Sequence, residues 1–215
     1  MNNLKRTGII GLIGAVMVGI GEFLLHYNAA GYNEAHYGFF VSIANWRLIT
    51  GHFITVLFVP FYIAGYWHIY LALKKGSNKM ALAVLILGVF AFVIGGMWIG
   101  SRGMLGFMAK SYAAGETSLA LLDKYQMLME TLVQLLRVIV LAISIVYVTA
   151  ILKGNTLYPK WMAWFNPVLI LAAVFLLFFL VPSIGIFLAP TAMNVTHVIV
   201  FSASLIALKN KQTAL

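Results

Sequence analysis

The chain has 215 residues, of which 63% are hydrophobic and 9% charged, with no cysteine and a mean hydropathy of +0.99. A soluble domain carries about a quarter of its residues as charge, so this composition is that of a membrane protein with no separate soluble domain. The missing cysteines exclude disulfides, iron–sulfur clusters, thiolate–metal sites and cysteine nucleophiles. The net charge of +9 sits on residues flanking apolar segments, so it reads as membrane-surface charge and not as a nucleic-acid surface.

About twenty apolar residues cross the hydrocarbon core of a bilayer. By that measure six segments are expected to span, making an all-α polytopic bundle over 1–215 as one integral membrane domain. The first lies near Gly8–Tyr27. Lys5 and Arg6 ahead of it resemble a signal peptide, but the apolar run is long and ends in Glu22 and His26, so it reads as a retained helix. Gly8, Gly11, Ala15 and Gly19 lie near one stripe of it, a close-packing face. The stretch Asn28–Ala44 follows, with Tyr32, Glu34, His36, Tyr37, Phe39 and Phe40; it reads as an interfacial anchor or as a lid. The second segment, Asn45–Leu73, opens with Arg47 and His52, contains Pro60, and ends with Trp67, His68 and Tyr70 as an aromatic belt. The third, Met80–Gly100, carries Gly95-Gly96 and ends at Trp98, Ser101 and Arg102. Residues Gly103–Gly115 read as a short interfacial helix before Glu116-Thr117-Ser118 caps the next segment.

The fourth segment, Leu119–Leu152, is the most informative. Glu130, Gln134 and Arg137 stand at steps of four and three, so they share one helical face, and Ser144 extends that line. An arginine near the middle of a span costs roughly 2.5–3.5 kcal/mol on insertion scales, so this face is expected to point into the protein. The fifth segment, Trp161–Val181, is preceded by Tyr158 and contains Trp164, Asn166 and Pro167. The sixth, Phe187–Leu208, brings Asn194 and His197 just after Pro190.

Basic residues orient the chain. Lys5, Arg6, Lys74, Lys75, Lys79, Lys153, Lys160, Lys209 and Lys211 fall on one side, against Arg47, Arg102, Lys110 and Lys124 on the other. The bias puts both termini in the cytoplasm. Glu22, His26, Arg47, His52, Trp98, Arg102, Glu130, Gln134, Arg137, Asn194 and His197 then all fall in the outer half of the membrane. Such segregation implies a polar cavity there, facing charges or water instead of lipid.

Several chemistries suit that layer. Glu22 and Glu130 could neutralise two of Arg47, Arg102 and Arg137 in a network that only fixes helix packing. The excess of arginine leaves room for an anionic group, with Arg47, Trp98, Arg102, Gln134, Arg137 and Asn194 as its binding residues. His26, His52 and His197 suit zinc by ligand type, with Glu22 as a fourth ligand or general base, but no compact metal motif is present. A haem is not supported: His52 and His68 lie on nearly opposite faces of one segment. A proton relay through Glu22, His26, Glu130 and His197, as in a proton-coupled transporter, would need polar groups in the cytoplasmic half, where the sequence offers few. The expectation is an outer-leaflet cavity for a membrane lipid or small amphiphile with an anionic group. Whether chemistry follows binding stays open; if it does, Glu22 or Glu130 is the acid/base.

Some landmarks carry a family likeness. Gly21-Glu22-Phe23-Leu24-Leu25-His26-Tyr27, Trp46-Arg47 with Gly51, Phe165-Asn166-Pro167, and Ala189-Pro190 leading to Asn194 resemble a family of uncharacterised bacterial six-helix membrane proteins. The acid of the first motif is usually aspartate there, so Glu22 departs from the pattern. The resemblance implies a location in the bacterial cytoplasmic (inner) membrane and directs attention to Glu22, Arg47, Asn166 and Asn194. It transfers no activity.

Overall fold

A computed structural model describes residues 3–32 and 35–209. Glu34 and Lys211 lie outside the described residues. Those described form α-helices and 3₁₀ turns, without a strand. Five helical segments are long and apolar enough to cross a membrane: Asn3–His26, Asn45–Leu73, Asn78–Ala113, Leu119–Lys153 and Pro182–Ala207. The expected span Trp161–Val181 takes a different form. It is a 3₁₀ turn, Lys160–Phe165, followed by an apolar helix of 14 residues, Pro167–Leu180.

Local sequence explains the boundaries. We name Asn3–His26 α1. The second segment divides into α2, Asn45–Phe58, and α3, Phe61–Leu73, because Pro60 has no N–H to continue the ladder. In α4, Asn78–Ala113, the Ser77 side chain accepts from the Met80 N–H; in α5, Leu119–Lys153, Ser118 does the same for Leu121. The expected interfacial helix after Gly103 is the last part of α4 itself. Gly103 and Gly106 there face His52, Leu48 and Phe40, so they serve close packing and do not end the helix. Asn166 caps α6, Pro167–Leu180, with Pro167 at its first position, and the Ser144 hydroxyl accepts the N–H of Val168. The Phe165-Asn166-Pro167 landmark is therefore a helix start. Beyond it come α7, Pro182–Leu188, a 3₁₀ turn at Ala189–Thr191, and α8, Ala192–Ala207.

Helix α1 is the hub, packed on α2, α3 and α8, while α4 packs on α5, α3 and α2. The glycine stripe makes this possible: a Cβ on Gly11 would strike the backbone of Gly65 in α3. Two apolar clusters result. The larger one is built on Tyr62, Tyr66, Ile69, Tyr147 and Phe201. A smaller one gathers Leu25, Phe39, Phe40, Leu48, Leu105 and Leu122.

The start of α1 and the ends of α3, α5 and α8 meet at one end of the bundle. Leu157 N–H donates to the Ala72 carbonyl (2.9 Å), and His68 Nδ1 donates to the Leu4 carbonyl (2.7 Å). His68 is fully buried and so is no belt residue, whereas Trp67, Trp161 and Trp164 are exposed as a belt requires.

Candidate functional site

A cavity of about 770 Å³ opens between α1, the turn Ala35–Phe40, α4, α5, α6 and the start of α8. Its polar wall comes from Glu22 and His26 on α1, Trp98 and Arg102 on α4, and Glu130 and Arg137 on α5. Val133 and Leu136 on α5, Leu171 and Phe175 on α6 and Met193 on α8 make the apolar wall.

Arg102 is the centre of the polar wall and is only 5% exposed. Its Nε donates to Nε2 of His26 at 2.9 Å, and His26 also hydrogen-bonds the Glu22 backbone one turn earlier. That leaves the imidazole no free nitrogen. The guanidinium carbon lies 4.8 Å from the centre of the Tyr37 ring, 5.0 Å from Trp98 and 5.5 Å from Phe40, an aromatic cage around a cation. Arg102 Nη1 forms an ion pair with Glu130 Oε1 at 3.7 Å, too far for a hydrogen bond, and has no hydrogen-bond partner. The indole Nε1 of Trp98 is likewise buried without a partner. Leaving a buried donor unsatisfied costs about 1–3 kcal/mol. Two of them border the same cavity.

The roof is the turn Ala35–Phe40. His36 and Tyr37 both hold left-handed backbone (φ 53° and 58°), which costs about 1–2 kcal/mol per non-glycine residue. Contacts to α5 offset that strain. His36 Nδ1 is 3.2 Å from the Asp123 carboxylate, and the Tyr37 hydroxyl donates to Glu130. Asp123 and Glu130 are seven residues apart, on one face of α5, so the turn is held along two helical turns of its neighbour. Burial, and then the bond to Glu130, push the Tyr37 hydroxyl above its usual range, which keeps it a donor.

Below this wall a smaller cavity of about 50 Å³ continues inwards, bordered by Glu22, Tyr66, Trp98, Asn194 and His197. Asn194 donates to the Glu22 carboxylate and accepts from the Tyr62 hydroxyl. His197 Nδ1 donates to the Met193 carbonyl (2.8 Å), so its Nε2 accepts from Tyr66 (3.0 Å).

The structure brings together Glu22, His26, Trp98, Arg102, Glu130, Asn194 and His197. Gln134 and Arg137 differ from expectation: both are exposed, with Arg137 donating to Gln134 at 3.2 Å, and Arg137 stands at the cavity mouth. Arg47 is spent elsewhere. Its guanidinium donates to the carbonyls of Phe23 (3.3 Å) and Tyr27 (2.7 Å), satisfying the C-terminal end of α1. His52 is not part of the cavity wall; it packs against Phe53 and Gly103. His26, His52 and His197 therefore do not form a ligand set, and no group of three His, Asp or Glu side chains suited to a metal occurs among the described residues.

A family model matches residues 1–211. The chain belongs to DUF6796, a family of unknown function. Comparison with curated proteins and with solved structures returns no match.

Sequence reading missed Tyr37 as the partner of Glu130, although it marked the surrounding stretch as an interfacial anchor or a lid. It also missed Tyr62, Tyr66 and Tyr147, whose hydroxyls are buried inside the bundle. Their only signal was tyrosine where phenylalanine would fill the same volume.

Proposed function

We propose that this protein binds an amphiphile with an anionic head group in the outer half of the bacterial cytoplasmic membrane. The observation that carries the reading is the pair of buried donors without a hydrogen bond, Arg102 Nη1 and Trp98 Nε1, on one wall of a cavity whose other wall is apolar. A carboxylate or phosphate oxygen between them would satisfy both. The tail would lie along Val133, Leu136, Leu171 and Phe175, entering sideways between α5 and α6. Arg137 at the mouth adds a second cation for capture.

Placement in the membrane supports the same picture. With Lys153 at the cytoplasmic surface, about 20 residues of helical rise carry α5 across 30 Å of hydrocarbon, to near Val133. Glu130 and Arg102 then lie at head-group depth. The reading takes six crossings, with α6 extended by its preceding 3₁₀ turn as the short fifth one, and both termini in the cytoplasm. The shared position of the start of α1 and the ends of α3, α5 and α8 supports it.

The test is native mass spectrometry of the protein released from nanodiscs of mixed anionic and neutral lipid. Wild type should retain an anionic amphiphile, and Arg102→Lys, which keeps the charge but loses the fork, should retain at least tenfold less. Retention that is equal in wild type and variant, or indifferent to head-group charge, would overturn the proposal.

A further inference from the structure

Depth and room limit what the cavity can hold. Its α5 and α6 walls rise from one contact, where the Ser144 hydroxyl accepts the N–H of Val168 at 3.1 Å. The α5 residues that line the cavity precede Ser144, and Leu171 and Phe175 of α6 follow Val168, so both walls lie on the same side of this contact. Glu130, the ion-pair partner of Arg102, stands 14 residues before Ser144, about 21 Å of helical rise. Leu171 stands three residues after Val168, about 4.5 Å. The lined depth is therefore about 16 Å, close to one leaflet of a hydrocarbon core about 30 Å thick.

Room is the second limit. The cavity measures about 770 Å³. A methylene fills about the space of a water in the liquid, about 30 Å³, so a chain of about 16 carbons takes about 480 Å³ and two chains take about 960 Å³. One chain fits with space left for a head group, and two do not. Position also bears on a second chain left outside in the bilayer. Arg102 is only 5% exposed, and its guanidinium lies among the rings of Tyr37, Phe40 and Trp98. In a diacyl lipid both chains begin within a few bonds of the phosphate. An oxygen on Arg102 Nη1 would put both chain origins inside these walls.

We infer, resting on the anion site proposed above, that the ligand is a single-chain amphiphile: one long acyl chain on one anionic head group, such as a fatty-acid carboxylate or the phosphate of a lysophospholipid. Selection against diacyl lipid is then steric. A tail against Leu136 and a tail against neighbouring lipid are in equally apolar surroundings, so the chain adds little affinity of its own and the head group supplies it. Hydrolysis of one ester of a diacyl phospholipid consumes a water and releases a fatty acid and a lysophospholipid, so deacylation is a reaction class that supplies either ligand.

The experiment offers the full chain, in nanodiscs of neutral phosphatidylcholine, equal mole fractions of palmitate, palmitoyl-lysophosphatidylglycerol, dipalmitoyl-phosphatidylglycerol or neutral monopalmitoylglycerol. Retained ligand is read by native mass spectrometry. Wild type should retain palmitate, the lysolipid or both at least tenfold more than the diacyl lipid, and the one retained identifies the source. Diacyl lipid retained as well as the single-chain anions, and lost in Arg102→Lys, would overturn the single-chain limit and leave the anion site standing. Retention of no anionic ligand above monopalmitoylglycerol would overturn both. The wild-type comparison needs no variant, so it decides the chain number even where Arg102→Lys fails to fold.

Discussion

Glu130 stands beside the position proposed for a bound anion, and this makes Glu130→Gln the most direct probe of the site. An anionic head group bonded to Arg102 Nη1, which is itself 3.7 Å from Glu130 Oε1, would lie roughly 5 Å from that carboxylate, and two like charges at that distance repel by about 3 kcal/mol at an effective dielectric of 20. The Glu130 side chain is 42% exposed, so solvent screens most of this, leaving about 1 kcal/mol. Glutamine keeps the shape and still accepts from Tyr37, but it removes the charge. Affinity for an anionic single-chain amphiphile should therefore rise about fivefold. A neutral monoacylglycerol with the same chain should bind no better than before. The dissociation constants of both, titrated into nanodiscs holding wild type or variant, provide the measurement. Unchanged or weaker binding of the anionic ligand, or an equal gain for both ligands, would refute the argument that Arg102 receives the head group.

Two further outcomes follow from the fold. Asn166→Ala removes the oxygen that accepts from Leu169 N–H, a loss of about 1 kcal/mol, and should lower the melting temperature by about 2–4 °C; no change would show that Pro167 and Ser144 suffice to start α6. Tyr32 gives a pH signature: burial raises its ionisation from about 10 to about 12 in the folded chain, where its hydroxyl donates to the Ile186 carbonyl. The unfolded chain thus loses this proton first, so the stabilisation is fully present below about pH 10 and is lost as pH rises from about 10 to 12. Tyr32→Phe should flatten the fall of melting temperature across this range; parallel curves would count against it.

The polar layer was legible because ionisable side chains inside an apolar chain cannot face lipid. Glu22, His26, Trp98, Arg102 and Glu130 meet as that argument requires. The same logic failed for Arg47, whose partners are main-chain carbonyls at the end of α1 and carry no mark in the sequence. It also failed for Arg137, which reaches the cavity mouth from an exposed position. Helix count was ambiguous where apolar length was short: α6 has 14 residues, and Pro182 opens the following segment five residues before the sequence reading began it. The buried tyrosines were illegible for a different reason. Hydropathy treats tyrosine as nearly phenylalanine, and only packing reveals where a hydroxyl ends.

The two apolar clusters divide the cavity between them. Phe40 and Leu105, with Trp98 packed alongside, belong to the smaller cluster that supports the cage around Arg102, while Leu136 packs on the larger cluster and lines the apolar wall of the cavity. On the proposed reading, head-group choice and chain-length choice would rest on separate sets of side chains. Variation in one can retune recognition without disturbing the other, so relatives sharing this scaffold are free to diverge in what they carry at one end while keeping the other constant.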